Sequence, residues 1–153
     1  MCAPTVDADK LREQIGDIRF PYMLLKNDPF DMIDLADFIL VASGTASLQV
    51  ALLEKPMVIM YKMKWTTGIF AKIFIRGVKF FGIVNLILGY EAVPERWQSG
   101  THPDELTKLM SRYLSDKNYT DHVRSEIKKV RGHLGDRGAT KRVASALEEY
   151  FKS

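Results

Sequence analysis

Ser43, Gly44 and Thr45 are the residues whose types and spacing best suit chemistry in this chain. They follow an apolar run, 37–42, and precede a helical pattern, 46–53, so two hydroxyls and a glycine stand where a strand turns into a helix. The first turn of a helix carries backbone N–H groups without intrahelical partners and the positive end of the helix dipole. No acid follows in Ala46-Ser47-Leu48-Gln49 to neutralise it. Such a turn suits a phosphate. A plainer reading stands beside this one: Ser and Thr at a helix start are more often simple N-caps, and Gly44 can serve only to allow a tight turn.

The elements that must position this turn form one βαβ unit. The strand 37–42 and the helix 46–53 are followed by a Lys55-Pro56 break and a second apolar run, 57–61. Upstream, the pattern predicts a helix over 7–18 with Val6, Leu11 and Ile15 as its apolar edge, and a strand over 22–25. A short helix over 30–36 comes next, with Asp28 as N-cap and Pro29 at its first position. Downstream it predicts a strand over 80–84, a loop and short helix over 85–98, and three helices, 103–115, 119–130 and 139–151. Leu106, Leu109, Met110 and Leu114 make the buried face of the first of these; Val143, Ala144, Leu147 and Phe151 mark the last. Gly132, Gly135 and Gly138 punctuate the last two helices.

With 153 residues the chain suits one domain with a real core. A single cysteine, Cys2, excludes an internal disulfide framework and fits a reducing compartment, and three scattered histidines give no zinc spacing, so no metal or cofactor is expected. The net charge of +3 is unevenly spread: residues 61–90 hold five Lys/Arg and no acid, while residues 1–60 hold five against nine acids. The basic excess thus falls in the most apolar part of the chain. If 66–76 is helical, Lys72, Arg76 and Lys79 share one face while Trp65, Ile69, Phe70, Ile73 and Phe74 occupy the others. That is the pattern of an interfacial membrane helix, with Trp65, Phe70, Lys72, Phe74, Arg76 and Lys79 as the membrane-facing set, or of a core helix with a solvated basic edge. Basic residues mixed with bulky aliphatics count against nucleic-acid binding. The uncharged stretch 80–90 is eleven residues long, short of the roughly twenty a membrane-spanning helix needs.

An ordered set of short motifs covers nearly the whole chain: Ser43-Gly44-Thr45-Ala46-Ser47-Leu48, Pro56-Met57-Val58-Ile59-Met60-Tyr61, Asn85-Leu86-Ile87-Leu88-Gly89, Val93-Pro94-Glu95 with Gln98, and Leu134-Gly135 with Gly138-Ala139-Thr140. In order and spacing this set resembles the lipid-A-disaccharide synthase family. The resemblance implies an α/β fold, the incomplete Rossmann-like C-terminal half of a GT-B type glycosyltransferase, with a short parallel sheet and C-terminal helices. It implies one partial domain over 1–153, α/β over 1–98 and helical over 99–153. The acceptor domain and first strands of the family are not represented, which leaves an open apolar sheet edge and implies a split or fragmentary form.

The implied reaction transfers diacylglucosamine from UDP to a diacylglucosamine 1-phosphate acceptor, without metal, in lipid A biosynthesis. The implied nucleotide-binding residues are Ser43, Gly44, Thr45, Gln49, Asn85, Gly89, Glu95 and Gln98, and no catalytic base is identified in this half. Two positions depart from the family pattern: Gln49 stands where the family usually has Glu, and Tyr90 where it often has a basic residue. The implied partners are UDP-diacylglucosamine, the lipid acceptor, a membrane surface bound peripherally, and an N-terminal half chain or a second copy. The implied location is the cytoplasmic side of the inner membrane of a Gram-negative-type bacterium. Two other readings stand beside this one: a non-catalytic peripheral membrane module, and a different UDP-N-acetylglucosamine-using enzyme of the same half-fold.

Overall fold

The computed structural model describes residues 7–16, 18–25, 29–61 and 79–152. Asp7 starts α1 (Ala8–Ile15), its carboxylate accepting from the Asp9 and Lys10 amides at 3.0 and 3.5 Å. Pro29, with φ already set for a helix, opens α2 (Pro29–Leu35). The βαβ unit comes next as β1 (Ile39–Ala42), α3 (Thr45–Leu52) and β2 (Met57–Tyr61). After it come α4 (Ile83–Leu88), β3 (Glu95–Trp97), a 3-10 turn (Gln98–Thr101), α5 (Pro103–Ser115), α6 (Lys117–His133) and α7 (Ala139–Lys152).

The three strands form one parallel sheet in the order β1-β2-β3, with Val41 opposite Ile59 and Ile59 opposite Glu95. The chain is therefore α/β with a short open parallel sheet and C-terminal helices, the arrangement of a partial Rossmann-like half. β2 lies at the centre, and Met57, Val58 and Ile59 are fully buried, as parallel strands covered on both faces require. Val50 and Ala51 of α3, Val84 of α4, and Val123, Ile127 and Val130 of α6 complete the core. Both α3 and α4 pack on α6. Tyr113 of α5 ties the helical part to the sheet: its ring lies 5.0 Å from those of Phe38 and Tyr119, and its hydroxyl donates to the Met57 carbonyl at 3.1 Å.

Several elements differ from the sequence reading. Residues 21–25 carry no strand, because an apolar run becomes a strand only against a neighbour, and none of the described strands pairs with it. Residues 80–84 are not a strand either. The Phe81 and Gly82 amides are taken by the Glu95 carboxylate, and Ile83 begins α4, which Gly89 ends in the left-handed region (φ 79°). The segment read as loop and short helix thus contains most of α4 and all of β3. On α5 Leu106 and Leu109 pack against the core as read, but the face continues through the buried Tyr113, and Leu114 is 70% exposed. On α7, Val143, Leu147 and Phe151 are exposed rather than buried. Val6, Asp28 and the proposed helix 66–76 lie outside the described residues.

Burial first, and then the neighbouring Tyr119, push the Tyr113 phenol well above its ordinary value of 10.0. A folded pKa above the unfolded one means the stabilisation is complete below the unfolded pKa and is lost as pH rises beyond it. The slope is up to about 1.4 kcal/mol per pH unit. Tyr113→Phe is expected to cost about 1 kcal/mol at neutral pH through the lost bond to Met57 and to flatten the decline above about pH 10. Urea denaturation of both proteins across that range checks it.

Candidate functional site

The turn after β1 is built as a helix start without a side-chain cap. The Ser43 amide donates to the Met60 carbonyl at 3.1 Å, extending the β1–β2 ladder by one residue. Gly44 then takes φ 136° and ψ −165°, a region essentially closed to side chains, and α3 begins at Thr45. No side chain caps this helix and its first turn holds no acid. The hydroxyl of Ser47 turns back onto the Gly44 carbonyl at 2.7 Å and is fully buried, so it fixes the turn and leaves the space in front of it clear. The plainer reading, in which Ser43 or Thr45 merely caps the helix, does not describe this geometry. Thr45 is exposed; Gln49 is half-buried on the second turn of α3.

Parallel register brings two further residues to this level. Ala42 is opposite Met60 and Met60 opposite Arg96, so Ser43, Tyr61 and Trp97 stand side by side at the carboxyl ends of the three strands. Ligands of open α/β sheets sit beyond this end. The Tyr61 oxygen is buried and has no hydrogen-bond partner among the described residues. Burial raises its pKa and the Glu95 charge adds to this; Ser43 lies near enough to pull the other way but not at hydrogen-bonding geometry. A cleft of about 390 Å³ runs beside it, lined by Tyr61, Lys79, Phe80, Phe81, Glu91, Glu95, Arg96 and Trp97. The larger cavity, about 540 Å³, is apolar and runs along the open edge of β1 from Phe38 to the Ser43–Thr45 turn. The uncapped Ser43–Thr45 turn borders the second, while Tyr61 and the charged Lys79, Glu91, Glu95 and Arg96 border the first.

Asn85 and Glu95 are brought together: Glu95 pairs with Ile59, two residues before Tyr61, and still lines the smaller cleft, whereas Asn85 lies fully buried behind it. The fully buried Asn85 amide donates to Glu95 Oε1 at 2.7 Å and to the Val93 carbonyl at 2.8 Å, and accepts from the Ala92 and Val93 amides at 2.8 and 3.0 Å. Gly89 is the exposed C-cap of α4, and Gln98 begins the 3-10 turn. Tyr90 donates to Glu126 of α6, beneath Lys129. Among the membrane-facing set only Lys79 is described, and it is exposed; Trp65, Phe70, Lys72, Phe74 and Arg76 lie outside the described residues. No group of three or more potential metal ligands occurs among the described residues. Sequence reasoning missed Tyr61, Trp97 and Gly82 as parts of this region. The signal for the first was its place at the end of a strand next to β1, whereas Trp97 needed β3 to be seen.

The family model described as lipid-A-disaccharide synthetase matches residues 7–148. Lipid-A-disaccharide synthase 1 of Legionella pneumophila (strain Paris) is 36% identical over 132 residues, 86% of this chain and 34% of that protein. The lipid-A-disaccharide synthase of Geobacter sulfurreducens is 36% identical over 120 residues, 78% of this chain and 31% of that protein. That of Anaeromyxobacter dehalogenans (strain 2CP-1) is 29% identical over 146 residues, 95% of this chain and 38% of that protein. The chain spans about a third of the length of the curated relatives it matches.

Gly82 is the tightest point of the region. A Cβ there would stand 2.6 Å from Ile59 Cδ1 and 2.7 Å from Glu95 Oε1. Gly82→Ala is therefore expected to destabilise the fold by about 1–3 kcal/mol, the range for forcing atoms into a packed site. A fall in the urea midpoint at unchanged m-value would report it; an unchanged midpoint would mean that the Glu95 side chain can swing away freely.

Proposed function

This chain belongs to the lipid-A-disaccharide synthetase family, and from that premise we propose that it forms the UDP-sugar-binding part of a lipid-A-disaccharide synthase. The observation that carries the reading is the uncapped, acid-free first turn of α3 at the carboxyl end of β1. There the α3 amides and the hydroxyls of Ser43 and Thr45 meet the diphosphate of UDP-diacylglucosamine. In the transfer, the acceptor 6′-hydroxyl attacks the anomeric carbon, the bond from that carbon to the diphosphate oxygen breaks, and the hydroxyl proton passes to a base. The negative charge that develops on departing UDP is stabilised by the α3 dipole, equivalent to about half a positive charge. The base and the acceptor site are assigned to the part of such a protein beyond the segment matched here.

The remaining assignments rest on the family and on composition. The lipid acceptor is a diacylglucosamine 1-phosphate, and the protein works at the cytoplasmic surface of the inner membrane, bound peripherally through its basic, apolar middle. No helix among the described residues is long and apolar enough to cross a membrane. β1 pairs only with β2 among the described residues, and Leu40 on it is 38% exposed. That edge suits a strand from an N-terminal half chain or from a second copy.

Calorimetry with UDP tests the reading, on this chain alone and with a separately expressed acceptor part. Thr45→Asp places a carboxylate at the helix start, where it complements the dipole but repels a diphosphate. It is expected to keep or slightly raise the melting temperature and to weaken UDP binding by about tenfold or more, since like charges at contact distance cost on the order of 1–4 kcal/mol. Equal affinity in the variant would remove the α3 turn from the site, and absence of UDP binding to the parent chain under both conditions would overturn the proposal.

A further inference from the structure

The family resemblance sets Asn85 and Glu95 against the nucleotide, but their polar atoms are engaged elsewhere. Asn85 is fully buried, and both ends of its amide bond within the protein: two donations, to Val93 and Glu95, and two acceptances, from Ala92 and Val93. Glu95 Oε1 accepts from the Gly82 amide at 2.9 Å as well as from Asn85, and Oε2 accepts from the Phe81 amide at 2.9 Å. The two side chains therefore join the start of α4 to the loop before β3 and to β3 itself. Gly82 lets them close, because a side chain there would collide with Glu95 and Ile59.

What this closure holds is Phe81. Its amide is bonded to Glu95, and its ring stacks on Trp97 with centroids 5.7 Å apart and planes inclined by 15°. The same ring meets Tyr61 edge-on at 6.0 Å. Together Tyr61, Phe81 and Trp97 line the cleft beyond the carboxyl ends of β2 and β3. We infer that Asn85 is a positioning residue, which acts on the donor site through Glu95, itself part of the cleft lining, by locking Phe81 between Trp97 and Tyr61, and does not itself touch the donor. The inference rests on the donor-site reading only in taking this aromatic wall as part of the site.

Amide hydrogen exchange separates positioning from contact. In Glu95→Gln one of the two backbone donors faces an amide NH₂ instead of a carboxylate oxygen. Exchange at Phe81 and Gly82 is expected to rise about tenfold, while the Val58 amide in the sheet centre stays as in the parent. In a Trp65→Phe background the near-ultraviolet circular dichroism of Trp97 is expected to change with it. The pair Asn85→Asp with Glu95→Gln reverses donor and acceptor between the two positions and is expected to recover part of both signals. Phe81→Ala leaves every bond of Asn85 and Glu95 possible. It is expected to lower UDP affinity by about the same factor as Glu95→Gln, both measured by calorimetry. Unchanged exchange at Phe81 and Gly82 in Glu95→Gln, with UDP affinity lost, would overturn the inference in favour of direct contact. Parent-like affinity in Phe81→Ala would overturn it as well. A parent chain that does not bind UDP would sink the donor-site reading, and the exchange and dichroism results would then decide the positioning role by themselves.

Discussion

Parallel pairing on both sides of β2 is the constraint on which the rest depends. A parallel neighbour cannot be reached by a tight turn, so the chain must cross back over the sheet before each new strand, and helices are the economical way to do so. α3 makes that crossing between β1 and β2, and Val50 and Ala51 on it are buried in doing so. With strands that all run one way, their ends coincide: Ser43, Tyr61 and Trp97 emerge on one rim although they lie far apart along the chain. The site is a consequence of the direction of the strands before it is a consequence of any side chain.

Polar satisfaction then separates the groups near this rim into two kinds. Asn85 is buried with every polar direction answered, which is what an amide inside a core requires, because each unanswered group costs about 1–3 kcal/mol. Such a residue holds structure and has nothing left to offer a ligand. The Tyr61 hydroxyl is buried and unanswered among the described residues, and the first turn of α3 has no side-chain cap. Unanswered donors on one rim beside an accessible cleft are where ligand atoms would find partners. Glu95 stands between the two kinds: its carboxylate answers the Phe81 and Gly82 amides and the Asn85 amide, and it also lines the cleft.

How much could be read from the sequence depends on how local each element is. The βαβ unit was legible because its apolar runs, its Gly44 and its Lys55-Pro56 break all act within a few residues, and β2 begins and ends at the predicted Met57 and Tyr61. α5 was equally plain, bounded by Pro103. Where the decisive partner was distant, the reading failed. Residues 80–84 have strand-like composition, yet the Glu95 carboxylate captures the amides of Phe81 and Gly82 from across the sheet, and the chain winds into α4 from Ile83 onward. β3 is only three residues long, too short for alternation to show. Of the candidate site, the strand-to-helix turn before α3 was visible from its residue types. Tyr61 and Trp97 became visible only through register, and the closeness of Gly82 to Ile59 is a property of packing that no pattern along the chain contains.

Gly44 shows how such a turn can be kept open at little expense. A Ser, Thr, Asp or Asn at the N-cap would bond the free amides of the next turn and stabilise the helix by about 1 kcal/mol over Ala, but glycine at the same position gives up only a few tenths of that. Glycine also accepts φ 136°, which bends the chain sharply out of β1 into α3. A capping side chain would occupy the donors that an anion needs, and an acid there would repel it as well. Glycine alone combines the required bend, near-equal helix stability and unoccupied amides, while Ser47, buried one turn on, holds the bend from inside. Under the proposed function, stability and an open anion site are reconciled at one residue, since no side chain, Ser43 and Thr45 included, caps the helix.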